Sequence, residues 1–470
     1  MNFSSVLFVF CFLPIILLLY YFIPGRRGKD IVLLCASLIF YAAGQPVYLI
    51  LMLFSMLFNY FMAMDLNANP DQAKKTASLV FTIVVNLFIL GFFKYYGFLL
   101  DSLGSLFRTT ISHPELSLPI GLSFYTFRNM SYVIDVYKGR TEPATGLMTF
   151  AVYSTMFPYM TAGPIVRYSD IKEQLEHRIV NLSGIGMGLE MFIKGLAKKV
   201  ILADNLALLF AEVNVSAERT VLFTWLGLIA YTLEIYLDFS GYSDMAIGLG
   251  KIFGFDFGKN FDYPYTSRSV TEFWRRWHIT LGSWFRDYVY IPLGGNRVAL
   301  SLHVRNIIIV WALTGLWHGA AWNFVFWGVF HGCFLILERV GFDKVLKKIG
   351  PLRYVYAFFV ANIGWVFFRA DNIRLGFQML KRMFLFWRYP VNGYSVREFL
   401  DNHTLFVLVC AVLGMGILQE ILRRIRIGEK NALEAWEFSW GEIIFLGVVM
   451  VLSIMSLASS TYNPFIYFRF

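Results

Sequence analysis

The histidines of this chain are its most evident acid–base groups, and two of them stand in an unusual place. His318 and His331 fall inside the apolar run 306–337, where the stretch VWALTGLWHGAAWNFVFWGVFHG contains no Asp, Glu, Lys or Arg. An ionisable residue in such a run is a functional candidate, because a neutral imidazole can take up and return a proton near neutral pH. The alternative is that each ring only links two helices by hydrogen bonds, which fits His331 better than His318. Three further histidines have polar, charged neighbours and are predicted to lie at the surface: His113, His177 and His403.

His278 ends the sequence TEFWRRWH and begins an amphipathic segment. Its surroundings are rich in tryptophan, since seven residues of this type lie between positions 274 and 327: Trp274, Trp277, Trp284, Trp311, Trp317, Trp322 and Trp327. Indole rings are rigid and can wall a pocket, although they also form belts at the membrane interface. His278 is therefore a second candidate, with an interfacial histidine on a basic face as the alternative.

Other catalytic patterns are absent from the sequence. It contains no GxSxG nucleophile elbow and no HExxH, and GIGMG at 184–188 is not followed by GK[ST], so it is more typical of close helix packing. His318 and His331 are thirteen positions apart with no carboxylate between them, which argues against a metal site. The four cysteines show no CxxC spacing, so we expect neither disulfides nor a thiolate metal site. The residues favour base catalysis by a buried histidine without specifying the reaction.

The composition indicates what kind of protein positions these histidines. Of the 470 residues, 57% are hydrophobic and only 15% charged, and the mean hydropathy is +0.58. Soluble domains average about 25% charged residues, so a soluble protein is excluded. The net charge of +10 comes from basic clusters at the ends of apolar runs, the pattern that orients membrane segments, and a nucleic-acid-binding protein is therefore not expected. We predict an all-α, polytopic integral membrane protein whose single domain spans residues 1–470.

Apolar runs divide the chain into candidate spans. They lie at 3–23, 31–43, 47–63, 77–93, 147–165, 184–210, 221–237, 306–337, 352–368, 404–420 and 441–457. The first is predicted to be a retained anchor. Basic loops at 26–29 and 423–430 should be cytoplasmic, which puts both termini outside and requires ten or twelve crossings. Residues 251–297 combine aromatic residues with frequent charges, which indicates amphipathic or re-entrant helices that line a central tunnel. The predicted functional core is about 251–337.

Several long motifs, in order, carry a resemblance to a known family. They are GLSFYTFRNMSYVIDVYKGR at 121–140, FPYMTAGPIVRYSDI at 157–171, LDFSGYSDMAIGLGKIFGF at 237–255, NFDYPYTSRSVTEFW at 260–274, FWRRWHITLGSWFRDYVYIPLGGNR at 273–297, and the WHGAAWNFVFWGVFHG block that ends at 332. These resemble the membrane-bound O-acyltransferases, and within them the bacterial alginate O-acetyltransferase branch. The resemblance covers essentially the whole chain. The PLGGNR run is similar to the polysaccharide-acetylating branch rather than to the D-alanyl transferases of teichoic acid.

This resemblance implies transfer of an acetyl group from a cytoplasmic thioester, acetyl-CoA, to a hydroxyl on the far side of a bacterial inner or plasma membrane. The implied acceptor is an exopolysaccharide such as alginate, reached with extracellular or periplasmic acetyltransferase partners, and no cofactor is expected to remain bound. The histidine of the WHG motif, His318, is the implied catalytic residue, and that of the RRWH motif, His278, lines the same tunnel. We expect His318 to act as general base while His278 orients the donor or stabilises developing charge.

Residues near the two histidines suggest further roles, and the resemblance suggests one for a tyrosine near the end of the sequence. Trp317, Trp322 and Asn323 are candidate donors to the oxyanion. Arg275 and Arg276 suit the phosphates of coenzyme A, although they could instead mark the cytoplasmic side. In the terminal sequence YNPFIYFRF, Tyr467 could carry the acyl group transiently, the alternative being an aromatic interfacial anchor.

Several other functions stay open at this point. The alternatives are D-alanyl or acetyl transfer to teichoic acid, peptidoglycan or cellulose, a transporter or flippase, and a non-catalytic scaffold for a secreted acetyltransferase.

Overall fold

The computed structural model describes residues 2–114, 116–215, 220–391, 399–417, 419–421 and 439–459. Every regular element in these ranges is a helix. Helices suit an apolar solvent because they satisfy the backbone hydrogen-bonding groups within one segment. The predicted all-α fold is confirmed. Tyr467 and the basic loop at 423–430 lie outside the described residues.

Seven helices of the described chain are long and apolar enough to cross a membrane. The prediction of ten to twelve crossings counted apolar runs, and several of these runs fold as shorter helices. The run 147–165, for example, divides into Leu147–Thr155 and Phe157–Met160, and residues 149–166 are buried throughout. An apolar run can therefore serve as protein core as well as a span, and the exact number of crossings stays a prediction.

The chain divides into two compact units, Met1–Ile193 with Tyr242–Gly258, and Lys194–Gly241 with Lys259–Phe470. The helices from the first half of the chain are α1 (Leu13–Phe22), α2 (Arg26–Ala42), α3 (Leu49–Ala68), α4 (Gln72–Phe107), α5 (Leu122–Tyr137), α6 (Leu147–Thr155), α7 (Phe157–Met160), α8 (Tyr168–Glu176) and α9 (Leu182–Ala197). Of these, α3 and α4 are candidate spans.

Arg128 of α5 explains how the first unit tolerates the break between α6 and α7. Its side chain is completely buried and donates hydrogen bonds to the carbonyl oxygens of Tyr159 (2.7 Å) and Ser154 (3.3 Å). Carbonyls at helix ends lack partners within their own helix, and a buried carbonyl without a partner is costly. The guanidinium therefore supplies donors that an unbroken helix would not need.

The helices that follow are α10 (Asp204–Val215), α11 (Val221–Ile252), α12 (Val270–Arg276), α13 (Ile279–Phe285), α14 (Leu300–His318), α15 (Trp322–Leu337), α16 (Asp343–Lys348), α17 (Leu352–Arg369), α18 (Ile373–Phe384), α19 (Asn402–Gly414) and α20 (Trp440–Ser459). Candidate spans among them contain α11, α14, α15 with α16, α19 and α20. As predicted, the charged and aromatic segment near position 275 forms short helices, α12 and α13.

The start of α12 is held by two acceptors. The Ser269 hydroxyl accepts a hydrogen bond from the backbone N–H of Glu272 (3.0 Å), as an N-cap residue does. The carboxylate of Glu338, which follows α15, accepts from the backbone N–H groups of Val270 (2.7 Å) and Thr271 (2.9 Å). A carboxylate at a helix N-terminus is also favoured by the helix dipole. Glu338 thereby ties α12 to the end of α15.

Candidate active site

A cavity of about 1230 Å³ lies within the second unit, lined by residues between Ser269 and Lys344. This range overlaps the predicted functional core, 251–337. Both predicted histidines, His278 and His318, line the cavity. The two rings also contact the same indole, since the ring centroid of Trp317 lies 6.1 Å from that of His278 and 5.0 Å from that of His318. Residues forty positions apart are thus brought to one place.

His318 is the last residue of α14, and the residue after it fixes the turn. Gly319 has extended backbone, and a Cβ there would overlap the aromatic ring of Phe324. The His318 ring is buried and makes near-perpendicular contacts with Trp327 and Phe368, at 4.9 and 5.2 Å between ring centroids. Glycine is therefore required next to the imidazole because Phe324 of the following helix packs directly against this position.

The reversal divides the apolar run 306–337 into two helices, α14 and α15. They approach so closely at Gly328 that a Cβ there would overlap the backbone carbonyl of Trp311. Small residues are what allow helix backbones to approach in this way. The wall of the cavity that carries His318 is therefore set by backbone contact between the two helices.

His278 stands between α12 and α13 in a strained conformation. Its φ is 45°, in the left-handed region that residues other than glycine seldom adopt. The ring is buried edge-on against Phe239, at 4.8 Å between centroids, and its Nδ1 lies 3.1 Å from the side-chain oxygen of Asn260. Burial lowers the pKa of His278 to about 3, because a charged imidazole would lose its hydration. The ring is thus neutral at ambient pH.

The side chains of the adjacent residues Arg275 and Arg276 have different surroundings. Arg275 is exposed and lines the cavity. Arg276 instead pairs with Glu272 (2.6 Å) and donates a hydrogen bond to the Thr266 hydroxyl (3.1 Å). Arg276 is not among the residues that line the cavity, because its guanidinium is held by these two partners. The predicted donor-binding role therefore fits Arg275 and not Arg276.

The three candidate oxyanion donors also occupy different places. Trp317 contacts the rings of both histidines, whereas Trp322 is 60% exposed, and neither indole is a lining residue of the described cavity. The amide of Asn323 is buried and donates hydrogen bonds to the carbonyl oxygens of Phe367 (3.2 Å) and Ala370 (2.8 Å) at the end of α17. The Asn323 donors therefore stabilise a helix end, which leaves Trp317 as the candidate in contact with the histidines.

His331 is packed against aromatic rings rather than hydrogen-bonded. Its ring is completely buried, 4.8 Å from Trp274 and 5.2 Å from Trp327 with near-perpendicular planes. Neither ring nitrogen has a hydrogen-bond partner among the described residues. The alternative of hydrogen bonds that link two helices is thus not what the structure contains. His331 instead fixes two tryptophans, of which Trp274 lines the cavity.

His303 was not a candidate from the sequence, yet it lines the cavity. Its Nε2 lies 2.8 Å from the hydroxyl of Tyr290, another lining residue. The histidine sits near the polar start of α14, in SLHVRN, where an imidazole attracts little attention. A helical stripe could have revealed it, because the lining residues of α14 are spaced three, four or one apart: His303, Ile307, Val310, Trp311, Thr314 and His318.

Charged groups in the cavity are not balanced. The acidic lining residues already have partners, since Glu272 pairs with Arg276, Glu338 caps α12, and Asp343 pairs with Lys347 (2.6 Å). The basic lining residues Arg275, Arg339 and Lys344 form no ion pair with any residue that the structure describes. The cavity thus presents uncompensated positive charge, which suits an anionic ligand.

Comparison with known proteins gives consistent matches. The sequence profile of the membrane-bound O-acyltransferase family matches residues 33–376. The chain is 39% identical over 487 residues to a probable alginate O-acetylase, AlgI, of Pseudomonas putida, with both chains covered completely. It is 43% identical over 422 residues to the corresponding Pseudomonas aeruginosa protein, covering 88% of this chain and 81% of the relative. It is also 32% identical over 520 residues to the peptidoglycan O-acetyltransferase of Helicobacter pylori, covering 100% and 97%.

Proposed function

Because the chain belongs to the membrane-bound O-acyltransferase family, we propose that it transfers an acetyl group from cytoplasmic acetyl-CoA to hydroxyl groups of an exopolysaccharide beyond the membrane. The resemblance predicted from the motifs is confirmed by the match over residues 33–376 and by relatives aligned over the whole chain. The protein is thus a multi-pass membrane O-acyltransferase. The observation that best supports the proposed chemistry is that His278 and His318 line one cavity and contact the same indole.

The proposed reaction at His318 is general-base catalysis of acyl transfer. The imidazole removes the proton of the acceptor hydroxyl as its oxygen attacks the thioester carbonyl. The carbon–sulfur bond then breaks, and the imidazolium returns the same proton to the departing thiolate. A base positioned in this way contributes on the order of 10²–10⁴-fold.

The anionic donor is assigned to the basic residues that line the cavity. Coenzyme A carries several phosphate groups, and Arg275, Arg339 and Lys344 are the lining cations without an ion-pair partner among the described residues. Arginine in particular binds phosphate through paired N–H donors. The donor is therefore held by its phosphates while its thioester reaches the histidines.

The proposed acceptor is an alginate-like exopolysaccharide, supported by the relatives that bear the name alginate O-acetylase. The relative named for peptidoglycan keeps that polymer as a second candidate. Teichoic acid is less favoured, because the PLGGNR run is similar to the polysaccharide-acetylating branch rather than to the D-alanyl transferases, and the relatives named for teichoic acid align with only 49% and 54% of this chain. Cellulose, itself a polysaccharide, stays an alternative acceptor. The enzyme is placed in the inner or plasma membrane of a bacterium, with acetyltransferase partners outside.

A terminal tyrosine is proposed as an acyl relay to those partners. The hydroxyl of Tyr467 would attack the acetyl thioester, forming an acetyl ester of the phenol, while its proton goes to the released thiol. The acetyl group would then pass to a polymer hydroxyl, whose proton restores the phenol. Tyr467→Phe keeps the aromatic ring and removes this oxygen. Loss of polymer acetylation with donor binding retained supports the relay, whereas wild-type product from Tyr467→Phe assigns the tail to anchoring alone.

The function is tested by following labelled acetyl groups. Membranes that contain the protein and its polymer acceptor are supplied with acetyl-CoA radiolabelled in the acetyl group, and polymer is purified and treated with mild base. Base-labile label on the polymer, absent from membranes without the protein, is the expected result. A transporter or flippase would move label across the membrane without any covalent attachment, and that result would overturn the proposal.

A further inference from the structure

Asn260 contacts His278 but is not a lining residue of the cavity, and it is almost completely buried. Its side-chain oxygen lies 3.1 Å from Nδ1 of His278. The same oxygen accepts hydrogen bonds from the hydroxyl of Thr280 (2.9 Å) and from the backbone N–H of Thr280 (3.3 Å). The backbone oxygen of Asn260 accepts from the N–H of Ile279 (2.9 Å). One asparagine thus holds the start of α13 and the imidazole together.

These contacts fix which nitrogen of the ring carries hydrogen. A backbone N–H can only donate, so the Asn260 atom that it reaches is the amide oxygen, an acceptor. An acceptor facing Nδ1 requires Nδ1 to be the protonated nitrogen. A neutral imidazole has one hydrogen, and Nε2 of His278 is therefore left with a lone pair.

That lone pair is unpaired on a residue whose backbone is also strained. Nε2 is buried and has no hydrogen-bond partner among the described residues, although buried polar atoms are nearly always paired. The backbone of His278 is also left-handed, and such strain costs roughly 1–3 kcal/mol and gathers at functional sites. Both features fall on one residue of the cavity wall.

We propose that Asn260 is a positioning residue for acyl transfer, which holds His278 with hydrogen on Nδ1 so that Nε2 accepts a hydrogen bond from the bound acyl donor. This rests on the proposed function and deepens it. A ring without hydrogen on Nε2 cannot donate to an oxyanion from that atom, so of the two roles expected for His278 the orientation of the donor is selected. The coenzyme's flexible arm carries amide N–H groups of the kind that Nε2 accepts. No covalent bond changes at His278.

Variants of Asn260 and Thr280 test the proposal when the rate of acetyl transfer is measured and divided by the amount of protein inserted in the membrane. Asn260→Leu removes the acceptor oxygen and should lower kcat/KM for acetyl-CoA by about 10- to 100-fold, as loss of other partners that fix an imidazole tautomer does. Asn260→Asp keeps an oxygen at the same place and should restore most of this loss. Thr280→Val removes only a second donor to that oxygen and is the control that should stay near wild type. Equal kcat/KM in Asn260→Leu and wild type would overturn the proposal.

A direct measurement does not depend on whether Asn260→Leu folds. Protein labelled with ¹⁵N-histidine distinguishes a nitrogen that carries hydrogen from a bare one, and the signal missing from His278→Asn identifies this ring. The expected wild-type spectrum has hydrogen on Nδ1 and a bare Nε2; hydrogen on Nε2 would refute the assignment. Should the wild type transfer no acetyl at all, the proposed function fails, whereas active wild type with a bare Nδ1 means that only the role of Asn260 is wrong.

Discussion

Arg275 and Arg276 are neighbours in sequence with different partners, and this difference predicts different phenotypes. Arg275→Gln removes a cation that lines the cavity, so the KM for acetyl-CoA should rise about 10-fold, as expected for one lost charge-assisted hydrogen bond of roughly 1.5 kcal/mol. Arg276→Gln leaves Glu272 without its ion pair and should lower thermal stability more than donor affinity. Steady-state kinetics and thermal unfolding in detergent separate these effects. The same KM change in both variants would contradict the assignment.

His278 also predicts how stability depends on pH. The pKa of His278 is about 3 in the folded protein, whereas the pKa of a histidine in an unfolded chain is about 6.5. Protons therefore bind the unfolded chain first, and His278 reduces folded stability as the pH falls below about 6.5. His278→Asn removes this proton uptake and suits a left-handed backbone, so its unfolding temperature should fall less between neutral and mildly acidic pH. Parallel slopes for the variant and wild type would show that His278 titrates normally.

The sequence predicted the principal histidines better than their neighbours. His318 stood out because it interrupts an uncharged apolar run, and His278 because arginine and tryptophan surround it. Asn323 was misleading because proximity to His318 along the chain does not fix where an amide points. The role of Asn260 could not be predicted, since it lies eighteen positions from the ring that it contacts.

At the scale of helices, the close packing of α14 against α15 predicts that the protein does not tolerate an added methyl group at Gly328. A Cβ at Gly328 would overlap the backbone carbonyl of Trp311, which cannot move independently of α14. Gly328→Ala should therefore cost about 1–3 kcal/mol through overpacking and displace His318, so that both unfolding temperature and activity fall.

Gly447 of α20 is the matched control, because a Cβ there would meet nothing within 4 Å. Gly447→Ala should leave activity unchanged and raise helix stability slightly, since alanine is the better helix former. If Gly328→Ala were as stable and active as Gly447→Ala, close backbone contact between α14 and α15 would not set the cavity wall.

Element boundaries were predictable only where charged residues interrupt the apolar pattern. The amphipathic segment that forms α12 and α13 was expected from its alternating charges. The run 306–337 appeared continuous, because periodicity alone does not show that Gly319 ends one helix. Most of the run 147–165, from residue 149 onward, is buried by its own protein rather than by lipid, and composition does not distinguish these two apolar environments.

At the scale of the whole molecule, composition was sufficient to predict a membrane protein, and the motifs were sufficient to predict its family. Sidedness follows from the basic loops, and the loop at 423–430 lies outside the described residues. Cysteine-accessibility mapping should find position 27 cytoplasmic and the exposed end of α20 near position 459 external. Both positions on one side would contradict the predicted orientation and with it transfer toward the outside.

His318 is proposed to act as the base through which the inserted enzyme moves acetyl groups to polymer. The most direct measurement is base-labile acetyl label on polymer, per inserted protein, for His318→Ala, His318→Gln and the exposed-histidine control His403→Gln. Both His318 variants should insert normally and lose transfer by about 10²-fold or more, because glutamine can hydrogen-bond but cannot accept the proton, while His403→Gln stays active. Wild-type labelling by correctly inserted His318→Ala would contradict the account.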